Sequence, residues 1–406
     1  MTMEYLKPNR LCYRIAQFAS WNFATFVFKR KMLRNEIKNK KGAFVVIANH
    51  EAAFDFVNLI DATHRPMSFV ISHSFYNSLP IKGFLNKMGV IPKQQFQTAV
   101  RDLKRIKAVI ESGEPVVIYP AGLMCEDGLS TPIPAATYKF LKWLETDVYV
   151  ARTSGTYFVM PKWTKGLRPG RTYMDIYKLF DKETLATMEL DEVQRKTDEA
   201  ILFDAYREQE EHRVKYKNNA VIDGLENVLY QCPHCKTEFA MQVRDHSTIA
   251  CTACGYEQVV DDYALMHNYR GLGEELRYVS DWSRLIYQQL KDKIRKGIEN
   301  SLENQAIIHM IDPKADRFIE VGKAHIHLSK DGFHLRGDIR DEAVDLTVSV
   351  ANIPTLPFGP GKYFEIQHGT DIYRCYPEDG RLTMKFINMV KIFYELRAEK
   401  KALQTV

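Results

Sequence analysis

The chain has 406 residues, 45% of them hydrophobic and 26% charged, with a formal net charge of +5. This composition excludes a disordered protein and a multispanning membrane protein, and the length suggests two or three domains with ample apolar residues for a core. The charge is unevenly placed. Residues 1–41 hold ten Lys or Arg against two acids, Glu4 and Glu36, and the remainder is slightly acidic on balance.

Within that basic segment, Arg10 to Lys31 reads as an aromatic-rich helix. Leu11, Ile15 and Phe18 share one face, and Trp21, Phe23, Phe26, Val27 and Phe28 add apolar area. Arg14, Gln17 and Asn22 interrupt it, so no run of roughly 18 apolar residues is available to span a bilayer. No small-residue cleavage site of the signal-peptide kind is present. Residues 1–41 are therefore expected to form a basic amphipathic helix lying in the membrane interface, attracted to anionic lipid. The alternative is a helix packed on the protein's own core with its charges solvated.

Residues 42–180 alternate apolar strands with helical patterns, which predicts an α/β domain with a mainly parallel sheet. The strand candidates are Phe44–Ala48, Met67–Ser72, Val90–Pro92, Val116–Tyr119 and Val148–Ala151, and the clearest helix runs from Thr98 to Glu111. The first strand stops at Asn49-His50, and Asp55 follows five positions after the histidine. In open parallel sheets, chemistry gathers beyond the carboxyl ends of the strands, where His50 falls. A carboxylate across one turn from an imidazole can fix its tautomer and free the other nitrogen to take a proton. His64 and His73 have no partner pattern and read as structural. Nothing near Cys125 marks it as an activated nucleophile.

Asn49-His50-x4-Asp55 after an apolar strand resembles the first motif of the glycerolipid acyltransferases, the family that includes lysophosphatidate acyltransferase. The resemblance covers roughly residues 40 to 180. Met88-Gly-Val-Ile-Pro-Lys93, with Pro80–Phe84 ahead of it, resembles the family's second motif, with Lys93 where arginine is usual. Val116-Val-Ile-Tyr-Pro-Ala-Gly122 resembles the third, but Ala121 replaces its glutamate and Leu123-Met124 replace the Thr-Arg pair. Asp147–Ala151, followed by Arg152, stands where the fourth motif belongs. The resemblance implies an O-acyltransferase that moves a fatty acyl group from coenzyme A or acyl carrier protein to a lysophosphatidate-like glycerolipid. His50 would be the general base and Asp55 its orienting partner. Asn49, Lys93, Gly122 and Arg152 are the substrate-binding candidates. The altered third motif leaves two alternatives open: an uncharged or glycosylated acceptor, or a non-catalytic lipid-binding scaffold on a degenerate acyltransferase fold.

Residues 181–228 are strongly charged and read as a solvated helical linker. In residues 229–260, Cys232-Pro-His-Cys235 and Cys251-Thr-Ala-Cys254 are separated by 15 residues, the pattern of a four-cysteine zinc ribbon. Four thiolates leave no open position on zinc, so its role would be structural, with His234 and His246 as bystanders. No dense basic and aromatic surface accompanies the cysteines, and no nucleic-acid partner is expected. Residues 261–303 form a helical connector with its helix over Trp282 to Leu302. Residues 304–406 read as a small α+β domain of strands followed by a helix from Leu382 to Ala402, a possible pleckstrin-homology-like barrel. The expected location is cytoplasmic, peripheral on the inner face of a membrane.

Overall fold

The computed structural model describes residues 7–95, 100–164, 166–216, 222–312, 314–315 and 317–404. Thr98, residues 1–6 and residues 217–221 of the expected linker lie outside it. The chain divides into two compact units: residues up to 162 with 166–219 and 262–264, and residues 163–165, 220–261 and 265 onward.

The first unit opens with helix α1 (Arg10–Phe26), whose N-cap Asn9 accepts the Cys12 N–H at 3.0 Å. In chain order follow β1 (Lys31–Asn35), β2 (Val45–Ala48), α2 (Val57–Ile60), β3 (Ser68–Ser72), α3 (His73–Ser78) and α4 (Lys82–Lys87). Next come β4 (Ile91–Lys93), α5 (Val100–Glu111), β5 (Val116–Ile118), α6 (Ala136–Trp143), β6 (Val148–Ser154), α7 (Thr156–Val159) and β7 (Tyr173–Phe180). The strands pair in the order β1-β7-β6-β2-β5-β3-β4. Strands β6, β2, β5, β3 and β4 are parallel, β7 is antiparallel to β6, and β1 pairs parallel with β7 at the edge.

Strand β2 is central and buried on both faces. Val45 and Ile47 join the core under α5 and α6, while Val46 and Ala48 join the core under α1 and α2. This is why its sequence is an unbroken apolar run rather than an alternating one. The sheet is mainly parallel, as expected, and departs from that pattern where β7 meets β6. Neither β7 nor β1 was expected as a strand.

Helix α1 ends at Phe26 rather than Lys31, because the chain turns there to supply β1. Its inner face is made of Tyr13, Ala16, Ser20 and Ala24, mostly small residues that allow close approach to the sheet layer. Its outer face carries Leu11, Ile15, Phe18 and Phe26, which are 70, 58, 71 and 68% exposed. Thus the helix packs on the core and still presents large apolar side chains outward. Its start is held where the Asn9 N–H donates to Lys87 O at 2.7 Å. Gly89 (φ +70°) permits that approach, since a Cβ there would stand 2.7 Å from Pro8 Cγ.

The segment expected as a linker instead closes the first unit. Helices α8 (Lys182–Thr187), α9 (Leu190–Ile201) and α10 (Ala205–His212) bury Leu185, Val193, Ile201 and Tyr206. Its many charges lie on the outward faces, so composition alone disguised an amphipathic pattern.

The second unit holds two sheets. Strands β8 (Met241–Arg244), β9 (Thr248–Cys251), β10 (Glu257–Val260) and β11 (Met266–His267) form an antiparallel four-stranded sheet in the order β11-β10-β9-β8. Helix α11 (Val279–Arg295) follows, and Trp282 donates its Nε1–H to Gln231 O at 2.8 Å. The helix stops before Leu302, which lies instead in β12 (Ser301–Asp312). The remaining strands are β13 (Arg317–Ser329), β14 (Gly332–Ile339), β15 (Glu342–Val348), β16 (Phe358–Gly359), β17 (Tyr363–His368) and β18 (Asp371–Pro377). They pair antiparallel in the order β15-β14-β13-β12-β18-β17-β16, followed by α12 (Leu382–Gln404). Lys385 on α12 joins Glu238 and Glu299 in an ion cluster that also includes Lys293.

Candidate active site

Parallel pairing brings the ends of β2, β5, β3, β4 and β6 to one edge of the sheet, and His50 sits just beyond β2. Residues 50–55 turn back on themselves because Asp55 collects the amides of its own loop. Its Oδ2 accepts the Glu51 and Ala52 N–H groups at 2.7 and 2.8 Å and lies 3.0 Å from His50 Nδ1. Its Oδ1 accepts the Thr156 hydroxyl at 2.7 Å. Because both carboxylate oxygens are acceptors, His50 Nδ1 must carry the hydrogen, leaving Nε2 with a free lone pair. Asp55 is 1% exposed while His50 is 20% exposed, so the orienting group is sealed and the imidazole reaches solvent. The Tyr119 ring, just past β5, packs against the imidazole with centroids 4.6 Å apart.

Glu51 stands behind this pair and is fully buried. Burial, and then the charges of Glu208 and Asp55, hold its carboxyl well above the ordinary value of 4.5, which favours the protonated form. That resolves a bookkeeping problem at Thr156. Its Oγ1 lies 2.7 Å from Asp55 Oδ1 and 3.1 Å from Glu51 Oε2 but owns one hydrogen. The shorter contact assigns that hydrogen to Asp55, and a protonated Glu51 would then donate to Thr156 in turn, while Asp55 holds His50. The Tyr157 N–H also donates to Glu51 Oε2, at 3.0 Å. Nothing in the local pattern around His50 points to Thr156, which lies a hundred residues away. Glu51, adjacent to His50 and followed by Ala52, Ala53 and Phe54, was the available signal.

The other expected residues are placed as follows. Asn49 is buried, donating to Thr153 O and accepting from Thr153 N–H, both at 2.7 Å. Its amide thus extends the β2–β6 ladder and has no face toward a ligand. Arg152 donates to Ala200 O and Leu202 O and pairs with Glu208. Its guanidinium is spent on the helices after β7. The Gly122 N–H donates to Tyr119 O at 3.0 Å, closing the turn rather than facing outward. Lys93 ends β4 and donates to Gln94 O at 3.1 Å, which leaves hydrogens for another acceptor. Burial draws its pKa below the ordinary lysine value, against an opposing pull from Asp102. Cys125 is buried and its thiol is pushed up by burial, then by Glu51 and Asp127, so it stays an unreactive thiol.

In the second unit, Cys232, Cys235, Cys251 and Cys254 come together with all four Sγ atoms within 4.8 Å of one another. Cys232 and Cys254 are 3.7 Å apart, as are Cys235 and Cys251. Four sulfurs at about 2.3 Å from a tetrahedral zinc would stand about 3.8 Å from each other, so the donor set fits that ion. His246 is engaged with Asp223 at 3.0 Å instead.

Residues 26–159 match the family model described as Acyltransferase, a span that contains His50, Asp55 and Thr156. No curated protein matches the chain. Among solved structures, the chain is similar to the 1-acyl-sn-glycerophosphate (LPA) acyltransferase PlsC from Thermotoga maritima. Identity is 16% and the TM-score 0.41, over 50% of this chain and 79% of that one. It is also similar to the Ran binding domain of the nuclear complex component Nup2 from Ashbya gossypii. There the identity is 16% and the TM-score 0.18, over 24% of this chain and 99% of that one. The segment that carries the histidine–aspartate pair is thus the one that matches the Acyltransferase family model. Among the described residues no helix is long and apolar enough to cross a membrane.

Proposed function

We propose that the protein is an O-acyltransferase that moves a fatty acyl group from a thioester, of coenzyme A or acyl carrier protein, to a glycerolipid hydroxyl at a membrane surface. The observation that carries this reading is the sealed Asp55 beneath a half-open His50 whose Nε2 is free. Nε2 takes the proton of the acceptor hydroxyl as its oxygen attacks the thioester carbonyl. The tetrahedral oxyanion collapses, the C–S bond breaks, and the imidazolium returns the proton to the leaving thiolate. Asp55 keeps the imidazole oriented and balances its transient positive charge, an arrangement that contributes typically about 10²–10⁴-fold. No covalent acyl-enzyme is needed.

The acceptor is read as lysophosphatidate-like, with Lys93 meeting its phosphate. A second reading, an uncharged or glycosylated acceptor, is favoured by one observation: Arg152 and the Gly122 N–H are spent within the protein. Zinc in the four-cysteine site would hold the ribbon closed, and the outward apolar face of α1 would lie in the membrane interface. The discriminating experiment is transfer from labelled acyl-thioester to a panel of lysophosphatidate, neutral and glycosylated acceptors, comparing wild type with His50→Ala. Transfer lost in a folded variant supports the base and identifies the acceptor. Equal transfer by both proteins overturns His50 as the base, and transfer by neither leaves the fold a lipid-binding scaffold.

A further inference from the structure

We infer that the cleft beside the first half of α1 is a binding site for the phosphate of an anionic membrane lipid, separate from the catalytic edge. The inference deepens the membrane-interface reading of α1 and rests on it. The cleft has a volume of about 480 Å³ and is bounded by Lys7, Arg10, Arg14, His64, Arg65 and Glu114, with Tyr13 in its floor. This is within the roughly 300–1,000 Å³ typical of sites for small ligands.

The charges on its walls do not cancel. Among the described residues Glu114 is the sole acid lining it, and its carboxylate is taken by Arg65 at 2.6 Å. Arg65 also donates to Gly42 O and Gly113 O, so it is fixed as part of the wall. Lys7, Arg10 and Arg14 are exposed. None of the three makes an ion pair among the described residues. The first turn of α1 contains no acid to offset them. Arg10 and Arg14 are one helical turn apart, a like-charge spacing that disfavours the helix unless an anion sits between them. Guanidinium groups in that position suit phosphate oxygens.

The same helix selects the kind of phosphate. Leu11, Ile15 and Phe18 follow the arginines around the helix and are exposed. A soluble phosphate ester would satisfy the cations and leave that stripe in water. A membrane lipid satisfies both at once, its headgroup in the cleft and its bilayer against the stripe. The site is not the catalytic one. His64–Pro66 and Glu114 precede β3 and β5, at the amino ends of the strands, whereas His50 and Tyr119 lie beyond their carboxyl ends. The bound lipid would hold the enzyme on the surface and would not itself be acylated.

The test is partition of the full-length protein onto vesicles of phosphatidylcholine alone and with about one-fifth phosphatidylglycerol. Wild type is compared with Arg10→Ala/Arg14→Ala and with Lys104→Ala/Lys139→Ala, which removes equal charge from exposed positions outside the cleft and outside residues 1–41. Thermal melting checks that each variant is folded. The arginine pair should lose about 30-fold in partition to anionic vesicles, a factor of about five per cation. The lysine pair should stay within about threefold of wild type, and neutral vesicles should not distinguish the three proteins. Equal losses in both pairs, or none in the arginine pair, would overturn the cleft while leaving the membrane reading in place. Wild type that binds neither vesicle removes the membrane reading and the site with it. Titration with soluble glycerol phosphate separates the remaining case: binding as tight as that of the anionic vesicles would make the ligand a free ester and overturn the lipid.

Discussion

Replacing Glu51 with glutamine should abolish one component of the protein's pH-dependent stability. Glu51 is fully buried and keeps its proton in the folded protein well above 4.5, whereas in the unfolded chain it ionises near 4.5. At any pH between those two values the folded state binds one more proton than the unfolded state. Stability therefore falls as pH rises through that window, by about 1.4 kcal/mol for each pH unit over which the folded protein retains the proton. Below 4.5 both states hold the proton and the penalty vanishes. Glutamine does not titrate, so Glu51→Gln lacks this slope whatever fixed offset its altered hydrogen bonds introduce. That offset is on the order of 1 kcal/mol, because one amide atom cannot both accept the Tyr157 N–H and donate to Thr156 as a protonated carboxyl oxygen does. The assay is urea denaturation of both proteins at pH 5, 6 and 7, with the difference in unfolding free energy plotted against pH. Groups that do not interact with Glu51 cancel in that difference, which should rise in favour of the variant as pH increases. Parallel stability curves would show that Glu51 is ionised in the folded state, and the proton order from Glu51 through Thr156 to Asp55 would be wrong.

Three further outcomes are expected. Thr156→Val removes the donor to Asp55 and the acceptor for Glu51, so it should cost about 2 kcal/mol of stability and lower acyl transfer, with Thr156→Ser restoring both; an unchanged valine variant would refute the relay. Lys385→Met leaves Glu238 and Glu299 with Lys293 alone and should cost about 2 kcal/mol, below the fully buried limit because both carboxylates keep some exposure and one cation. Burial alone would raise the Glu238 carboxyl, but Lys385 and Lys293 hold it below 4.5, so stability from that ion pair is present above 4.5 and is lost as pH falls through the lower folded value; denaturation at a series of pH values should show the mutant effect constant above 4.5 and shrinking below it. The purified protein should carry about one equivalent of zinc, and Cys232→Ser should lower both metal content and melting temperature while acyl transfer per folded molecule is unchanged. A fully stable metal-free sample would refute the structural role.

What the sequence disclosed follows the range over which each feature is determined. Strand β2 was legible because burial on both faces demands an unbroken apolar run, and His50 with Asp55 because one loop holds both. Strand β1 was hidden at the sheet edge, where Lys31, Leu33 and Arg34 are exposed and leave little alternation to detect. Strand β7 does alternate, burying Met174, Ile176 and Phe180, yet its exposed Lys178 broke the appearance of a core strand. In the second unit, β12 buries Ala306, Ile308 and Met310 on alternate positions, but Leu302 at its start extended the apolar pattern of α11 and drew the helix boundary too far. Asn49 and Arg152 have the right chemistry for a ligand. Only tertiary contacts, with Thr153 for the first and Ala200, Leu202 and Glu208 for the second, reveal that it is already used.

The loop that carries His50 is held on two sides. Inside, the loop is pinned by Asp55, which gathers its amides, and by Thr156 from α7. Outside, Phe54 packs against Phe23 of α1 with ring centroids 5.6 Å apart, and Arg30 just beyond that helix bonds to Asp61 and Asn58 O at 2.7 Å. The helix that presents an apolar stripe outward is thus packed directly on the loop that carries His50. Docking of α1 on a bilayer would fix the loop's height and orientation at the surface through rigid contacts. The acceptor could then reach Nε2 from the lipid phase without the protein opening. On the proposed function, the helix set against the surface and the loop that would transfer the proton are joined by these contacts and would move as one piece.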